Sequence, residues 1–222
     1  MEEKITNILI ATAKGAVSVL PGGGLLAEYI GLVQSTIADK RMNTWKRQVE
    51  QTLEKIPKSM NELSESEEFY SCVQLATIGA MQAYQEEKRV FFANALYNAA
   101  VNVDLIADKK LYYISLLSEY TLSHIELLKY FSENHYKEED NVEKRGMVTV
   151  TKFGGTEYPM TGILEAFPQF KEDTTFVKHL TERLVSDSLV SLIDFSTPVS
   201  RERARGKKIT RHGEEFLKFI ME

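Results

Sequence analysis

Arg201, Arg203, Arg205, Lys207, Lys208 and Arg211 stand within one short stretch that holds a single acid, Glu202. Guanidinium and ammonium groups at that density can neutralise phosphates, giving a salt-dependent attraction that positions a protein without reading sequence. The same charges on an exposed hairpin also keep its edge from pairing with other chains. Just upstream, Lys178 and Arg183 would sit on a helix entering a groove, but Glu182 and Asp187 share it. A reader of base edges carries a cleaner face, so the mixed charge favours a protein partner or a structural role over DNA.

Other reactive residue types form no catalytic pattern. His124, His135, His179 and His212 lie far apart, without a second His or Cys at ligand spacing, so no metal site is expected. Cys72 falls on an apolar helical face and reads as a packed thiol rather than a nucleophile. Pro21-Gly22-Gly23-Gly24 lacks the Lys-Ser/Thr of a phosphate loop and follows a helix, not a strand. Glu138-Glu139-Asp140 reads as a solvated loop. No catalytic residue, cofactor or metal is expected, and the chain reads as a binding protein rather than an enzyme.

The bulk properties agree with a folded, intracellular chain. A length of 222 residues suffices for two small domains. A formal net charge of -5 makes any attraction to nucleic acid local. A single cysteine permits no internal disulfide, which suits a reducing cytoplasm. The opening Met1-Glu2-Glu3-Lys4 lacks the basic start of a secretory signal.

The periodicity predicts a mainly α protein in two parts: a helical bundle over residues 1–120 and a winged-helix module with a small β-hairpin over 121–222. The first part opens with an apolar hairpin broken at Pro21 to Gly24, whose second arm carries Leu26, Ile30 and Val33. Each arm has about 14 residues, short of the ~20 that span a bilayer. Burial in the bundle or at a homodimer contact is favoured, with membrane insertion as the alternative. Trp45, Val49, Leu53 and Ile56 continue the helical pattern. Further helices carry Phe69, Cys72, Val73, Ala76, Ala80 and Ala83; then Phe92, Leu96, Ala99, Ala100 and Val103; then Leu111, Ile114, Leu117 and Tyr120. Ser64 with Glu67, and Ser123 with Glu126, have capping-box spacing.

In the second part, residues 123–133 predict a helix and 147–151 a strand; 161–167 and 174–188 predict helices, the latter with Phe176, Leu180, Leu184 and Val185 inward. A strand over 189–195, a wing over 196–206, a return strand over 207–210 and a helix over 211–221 complete the winged-helix order. Thr210 is the expected N-cap of that last helix, with Phe216, Leu217 and Ile220 facing the core.

Three stretches carry a resemblance: Val19-Leu20-Pro21-Gly22-Gly23-Gly24, the run from Glu87-Lys88-Arg89 to Leu96-Tyr97-Asn98-Ala99, and Ile209-Thr210-Arg211-His212-Gly213-Glu214-Glu215-Phe216. There the chain resembles helical bacterial and phage proteins near the abortive-infection alpha type. The resemblance implies a cytoplasmic prokaryotic protein tied to phage defence or mobile elements, and it carries over no catalytic residue.

Overall fold

A computed structural model describes residues 37–58, 60–102, 104–136 and 155–221. The expected contacts at Leu26, Ile30 and Val33, the strand over 147–151 and Val103 lie outside them. The chain divides into two compact units, one running to Tyr120 and taking in Lys218–Glu222, the other Thr121–Leu217. Among the described residues the structure is mainly helical, with one small antiparallel sheet.

In the first unit α1 spans Asp39–Glu54, α2 Met60–Glu65, α3 Glu67–Gln82, α4 Glu86–Val101 and α5 Ala107–Glu119. The expected inward faces are largely those observed: Trp45, Cys72, Ala76, Ala80, Phe92, Leu96, Ile114 and Leu117 are fully enclosed. Trp45 Nε1 donates to Thr77 Oγ1 at 3.1 Å, so the one polar atom of the largest core side chain is satisfied where water cannot reach. Small residues on α3 let its neighbours approach closely. A Cβ on Gly79 would overlap the Phe92 ring and come within 2.8 Å of Ser118 Oγ, so α3, α4 and α5 meet where only hydrogen fits.

The cap of α3 is Ser66, not Ser64. Ser66 has extended backbone and its Oγ accepts from the Phe69 amide at 3.2 Å, whereas Ser64 is already inside α2. An N-cap must lie outside helical geometry, which residue spacing alone does not show. The other ends of these helices follow a common rule. None of α3, α4 and α5 has a basic residue in its last turn, and each receives one from elsewhere in the unit. Arg41 donates to Met81 O at 3.0 Å, Arg89 to Ala83 O at 2.9 Å, Lys58 to Ala100 O and Lys88 to Ser118 O at 3.0 Å. Cations at the negative end of a helix dipole contribute about 0.3–1 kcal/mol each, more when partly buried. Burial holds the Lys88 ammonium below the usual lysine range, the cost of using a cation this way. Asn94 and Asn98 serve Ile220 O and Phe219 O at the chain's end in the same manner.

The second unit contains α6 Leu122–Ser132, β1 Thr156–Glu157, α7 Pro159–Ala166, a 3-10 turn at Pro168–Phe170, α8 Thr174–Ser186, β2 Val199–Ser200, α9 Arg201–Arg205 and, of α10 Arg211–Met221, the residues up to Leu217. β1 and β2 are antiparallel, pairing Thr156 with Ser200 and Glu157 with Val199. α6 is capped by Thr121 rather than Ser123: the Thr121 amide donates to His124 Nδ1 at 3.2 Å. α8 begins at Asp173, whose carboxylate accepts from the Phe176 amide at 2.9 Å. That places Val177, Leu180 and Leu184 inside and leaves Phe176 39% exposed, so the inward stripe starts one residue later than expected.

The expected hairpin is corrected. Residues 189–195 do not form a strand; Val190 makes one bridge, to Ile209, and the return strand over 207–210 is that same single bridge. The expected wing instead holds β2 and α9. Pro198 supplies no donor, and an Asp194–Ser196 turn interrupts extension before it.

α8 and α10 are joined tightly. Ser188 lies in the left-handed region at φ 60, the Leu189 amide donates to Leu184 O and the Ser188 amide to Val185 O, both at 2.9 Å, which is a Schellman ending. The Thr210 amide donates to Leu189 O at 2.9 Å, the Thr210 hydroxyl to Ser188 O at 2.6 Å, and Thr210 Oγ1 accepts from the Gly213 amide at 3.0 Å. Thr210 is thus the N-cap, as expected. A Cβ on Gly213 would strike the Leu189 carbonyl oxygen itself.

Two stability predictions follow from these geometries. Gly79→Ala should lower the unfolding free energy by about 1–3 kcal/mol in urea titration, since a phenyl ring can give way; Gly213→Ala should cost more, because backbone cannot. An equal or smaller loss at Gly213 would show that the junction yields. Ser188→Gly should raise stability by about 1 kcal/mol by relieving the left-handed backbone, and an unchanged midpoint would show no strain there.

Candidate functional site

The basic stretch is built around α9. Ser200 caps it by accepting from the Arg203 amide at 3.3 Å, and Ala204 is its buried residue. Helical spacing then sends successive arginines different ways. Arg205 turns inward: its Nε donates to Glu157 Oε1 at 2.6 Å, and its Nη2 lies 3.1 Å from Glu157 Oε2 and 2.8 Å from Glu165 Oε2. The guanidinium fork is therefore occupied by two carboxylates, and the hydrogen bond to Glu157 holds its proton more tightly than in free arginine.

Tyr130 lies against this pair. Its hydroxyl is held above the usual tyrosine range chiefly by burial, with Arg205 pulling it down and the two glutamates pushing it up. Its ring stacks on His135 at 4.1 Å, and the His135 amide donates to Arg205 O at 3.0 Å. Gly162 permits this packing, since a Cβ there would come within 2.7 Å of the Tyr130 hydroxyl.

The remaining expected contact residues are distributed as follows. Lys207 pairs with Glu214, and Arg211 with Glu215 at 3.3 Å. Lys208 Nζ donates to the carbonyls of Arg203 and Gly206, and burial keeps it below the usual lysine range, with the charge of Arg203 adding to the effect. Arg183 pairs with Asp187 at 2.7 Å on α8, beside exposed Lys178, His179 and Glu182. Arg203 is exposed, and Arg201 is half-buried beside Gly155. The structure thus brings Arg201 to Lys208 together on one short helix and its exit; it turns Arg205 and Lys208 onto the unit's own acids and carbonyls, while Arg203 and Lys207 stay exposed. Phosphate contact needs such donors facing outward.

A second site escaped the sequence reading. In the first unit a half-open cavity of about 250 Å³ lies between α2, α3, α4 and α5. Lys110 Nζ sits 2.7 Å from Glu68 Oε1 on its wall, with the lysine side chain 8% exposed. A signal was available: Lys110 shares a helical face with Tyr113, Ile114 and Leu117, and a cation on an apolar stripe needs a partner. The partner is 42 residues away, where Glu68 reads as an ordinary first-turn acid. Among the described residues no group of three His, Cys, Asp or Glu is placed to hold a metal ion.

Cys72 is enclosed near the same pair. Its thiol is pushed up from 9.0 to about 11 by burial, then by the Glu68 charge, with Lys110 opposing. A raised folded-state value means that the stability contribution is complete below pH 9.0 and is lost as pH climbs through about 11. Unfolding free energy measured in urea should therefore fall over that interval, and Cys72→Ala should flatten part of the fall; parallel curves for the two proteins would remove Cys72 from the account.

No family model, curated protein or solved structure matches this chain.

Proposed function

We propose that this chain is a non-enzymatic binding protein that engages a protein partner through its second unit. The observation that carries the reading is Leu192, 86% exposed on a segment held in a fixed form. On one side, Ser191 donates to Lys208 O from its amide at 2.9 Å and from its hydroxyl at 3.1 Å. On the other, Asp194 accepts from the Ser196 amide at 2.8 Å and hydroxyl at 2.6 Å, and hydrogen bonds from Ser196 and Thr197 hold its carboxyl down at about 2. An apolar side chain presented on an ordered mount suits a contact anchor, because little freedom is lost when a partner closes over it. Phe176 and Tyr158 add exposed aromatic area in the same unit.

In this reading the second unit is a winged-helix variant. The order α6, β1, α7, α8, the Val190–Ile209 bridge and α10 supports it, with β2 and α9 standing in the wing's place. The charge-balanced surface of α8 and the internal use of Arg205 and Lys208 favour protein over DNA. The setting we propose, on the resemblance to abortive-infection alpha proteins, is a prokaryotic cytoplasm exposed to phage.

A photoreactive residue at position 192 should cross-link one dominant protein in the native host, and Leu192→Asp should weaken the purified pair about tenfold or more. Duplex DNA followed by fluorescence anisotropy between about 50 and 200 mM salt should show no tight, steeply salt-dependent binding. Such binding, lost in an Arg201→Ala/Arg203→Ala double variant, would overturn the reading.

A further inference from the structure

Leu189-Val190-Ser191-Leu192-Ile193-Asp194-Phe195 is apolar and β-branched as strands are, yet among the described residues its strand pairing is the single Val190–Ile209 bridge. The bonds around that bridge show which way the backbone faces. The Ser191 amide donates to Lys208 O and the Thr210 amide to Leu189 O, both at 2.9 Å, so residues 189 and 191 turn peptide groups toward the 208–210 side. Successive residues of an extended chain face opposite edges, so Val190 and Leu192 look away from that side. At Val190 the outer edge is closed, since its amide donates to Leu184 O at 3.3 Å. At Leu192 it is open. Residues 191–194 continue without helix or turn, and the Leu192 amide and carbonyl have no hydrogen-bond partner among the described residues. The Asp194 carboxylate then bends the chain by accepting from the Ser196 amide, which ends the open edge. Chains that keep such an edge solitary place a lysine or a proline on it; this one carries Leu192, 86% exposed. Ile193, which alternation places on the other face, is half-buried.

We propose that residues 192–194 are an acceptor edge to which an extended segment of the partner protein adds a strand. The backbone of that segment donates to Leu192 O and accepts from the Leu192 amide, and one of its apolar side chains lies beside Leu192 on the exposed face. The pairing is short, like the two-residue β1–β2 sheet of the same unit. Main-chain bonds therefore set the register, and the residue beside Leu192 sets the selectivity. The proposal rests on the reading of Leu192 as a partner anchor and names what is anchored: an extended peptide with apolar residues at alternate positions, not a helix.

The test uses the full chain and, as probe, linear ten-residue peptides selected from a random displayed library. Selected sequences should carry apolar residues at every second position, and Leu192→Ala should weaken their binding about tenfold. Incorporating the α-hydroxy acid of leucine at position 192 replaces the N–H by oxygen, keeping the side chain and removing the donor. That amide bonds to nothing in the free chain, so the ester should leave the melting temperature unchanged and still weaken the peptides about tenfold. A lowered melting temperature would mean that the edge is already occupied and would overturn the proposal. Full affinity in the ester, with weak binding in Leu192→Ala, would sink strand addition and leave the side-chain anchor standing. Selected sequences with apolar residues three and four apart would have the same consequence, as would a library that yields no binder. Peptides indifferent to Leu192→Asp would count against the edge and the anchor together.

Discussion

The second unit depends on one carbonyl. Leu189 O is the acceptor for the Thr210 amide, and it sits where a side chain on residue 213 would have to be. Everything around it is arranged so that it can occupy that place. Ser188 takes a left-handed conformation to end α8, Thr210 caps α10 and also ties back to Ser188, and position 213 carries no Cβ. Fixing the exit of one helix against the entry of the next sets the direction of α10, and Phe216 then reaches full burial. The connecting residues 191–208 can depart from a hairpin because the junction, not a strand ladder, holds the two helices in register.

The helices were legible because burial enforces their period. Trp45, Cys72, Phe92, Ile114, Leu184 and Phe216 all stand where the spacing put them, each fully enclosed. Caps were less legible: Ser66 and Thr121 displaced Ser64 and Ser123, since neighbouring polar residues compete for the role and only backbone geometry decides. The hairpin was the main misreading: residues 189–195 form no strand, and the expected wing holds β2 and α9. Within the basic run, Arg205 looks outward-facing until the acids that meet it are known. Glu157 and Glu165 lie 48 and 40 positions before Arg205, and the β1–β2 pairing brings Glu157 within reach. The cavity pair Lys110–Glu68 was hidden for the same reason, an interaction that no local window contains.

Several cations here serve the structure. Arg41, Lys58, Lys88 and Arg89 close helix ends that carry no basic residue of their own; in the second unit Lys208 meets the last carbonyls of α9, and Arg205 is clasped by Glu157 and Glu165. Charge counted along the chain therefore overstates what a partner would meet. It also explains why Lys88 and Arg89 on α4 sit nearly buried in a helix with an otherwise apolar interior. Their long aliphatic stems pack while their heads reach a carbonyl.

α9 also has a topological consequence. The His135 amide is held by Arg205 O, and the Arg201 amide by Gly155 O, so the two ends of one five-residue helix hold the segment that follows α6 and the residue that leads into β1. Two positions 20 residues apart in the chain are thereby tied to one short element. A change that unwinds α9 would release both at once, as one locally opening piece of the unit.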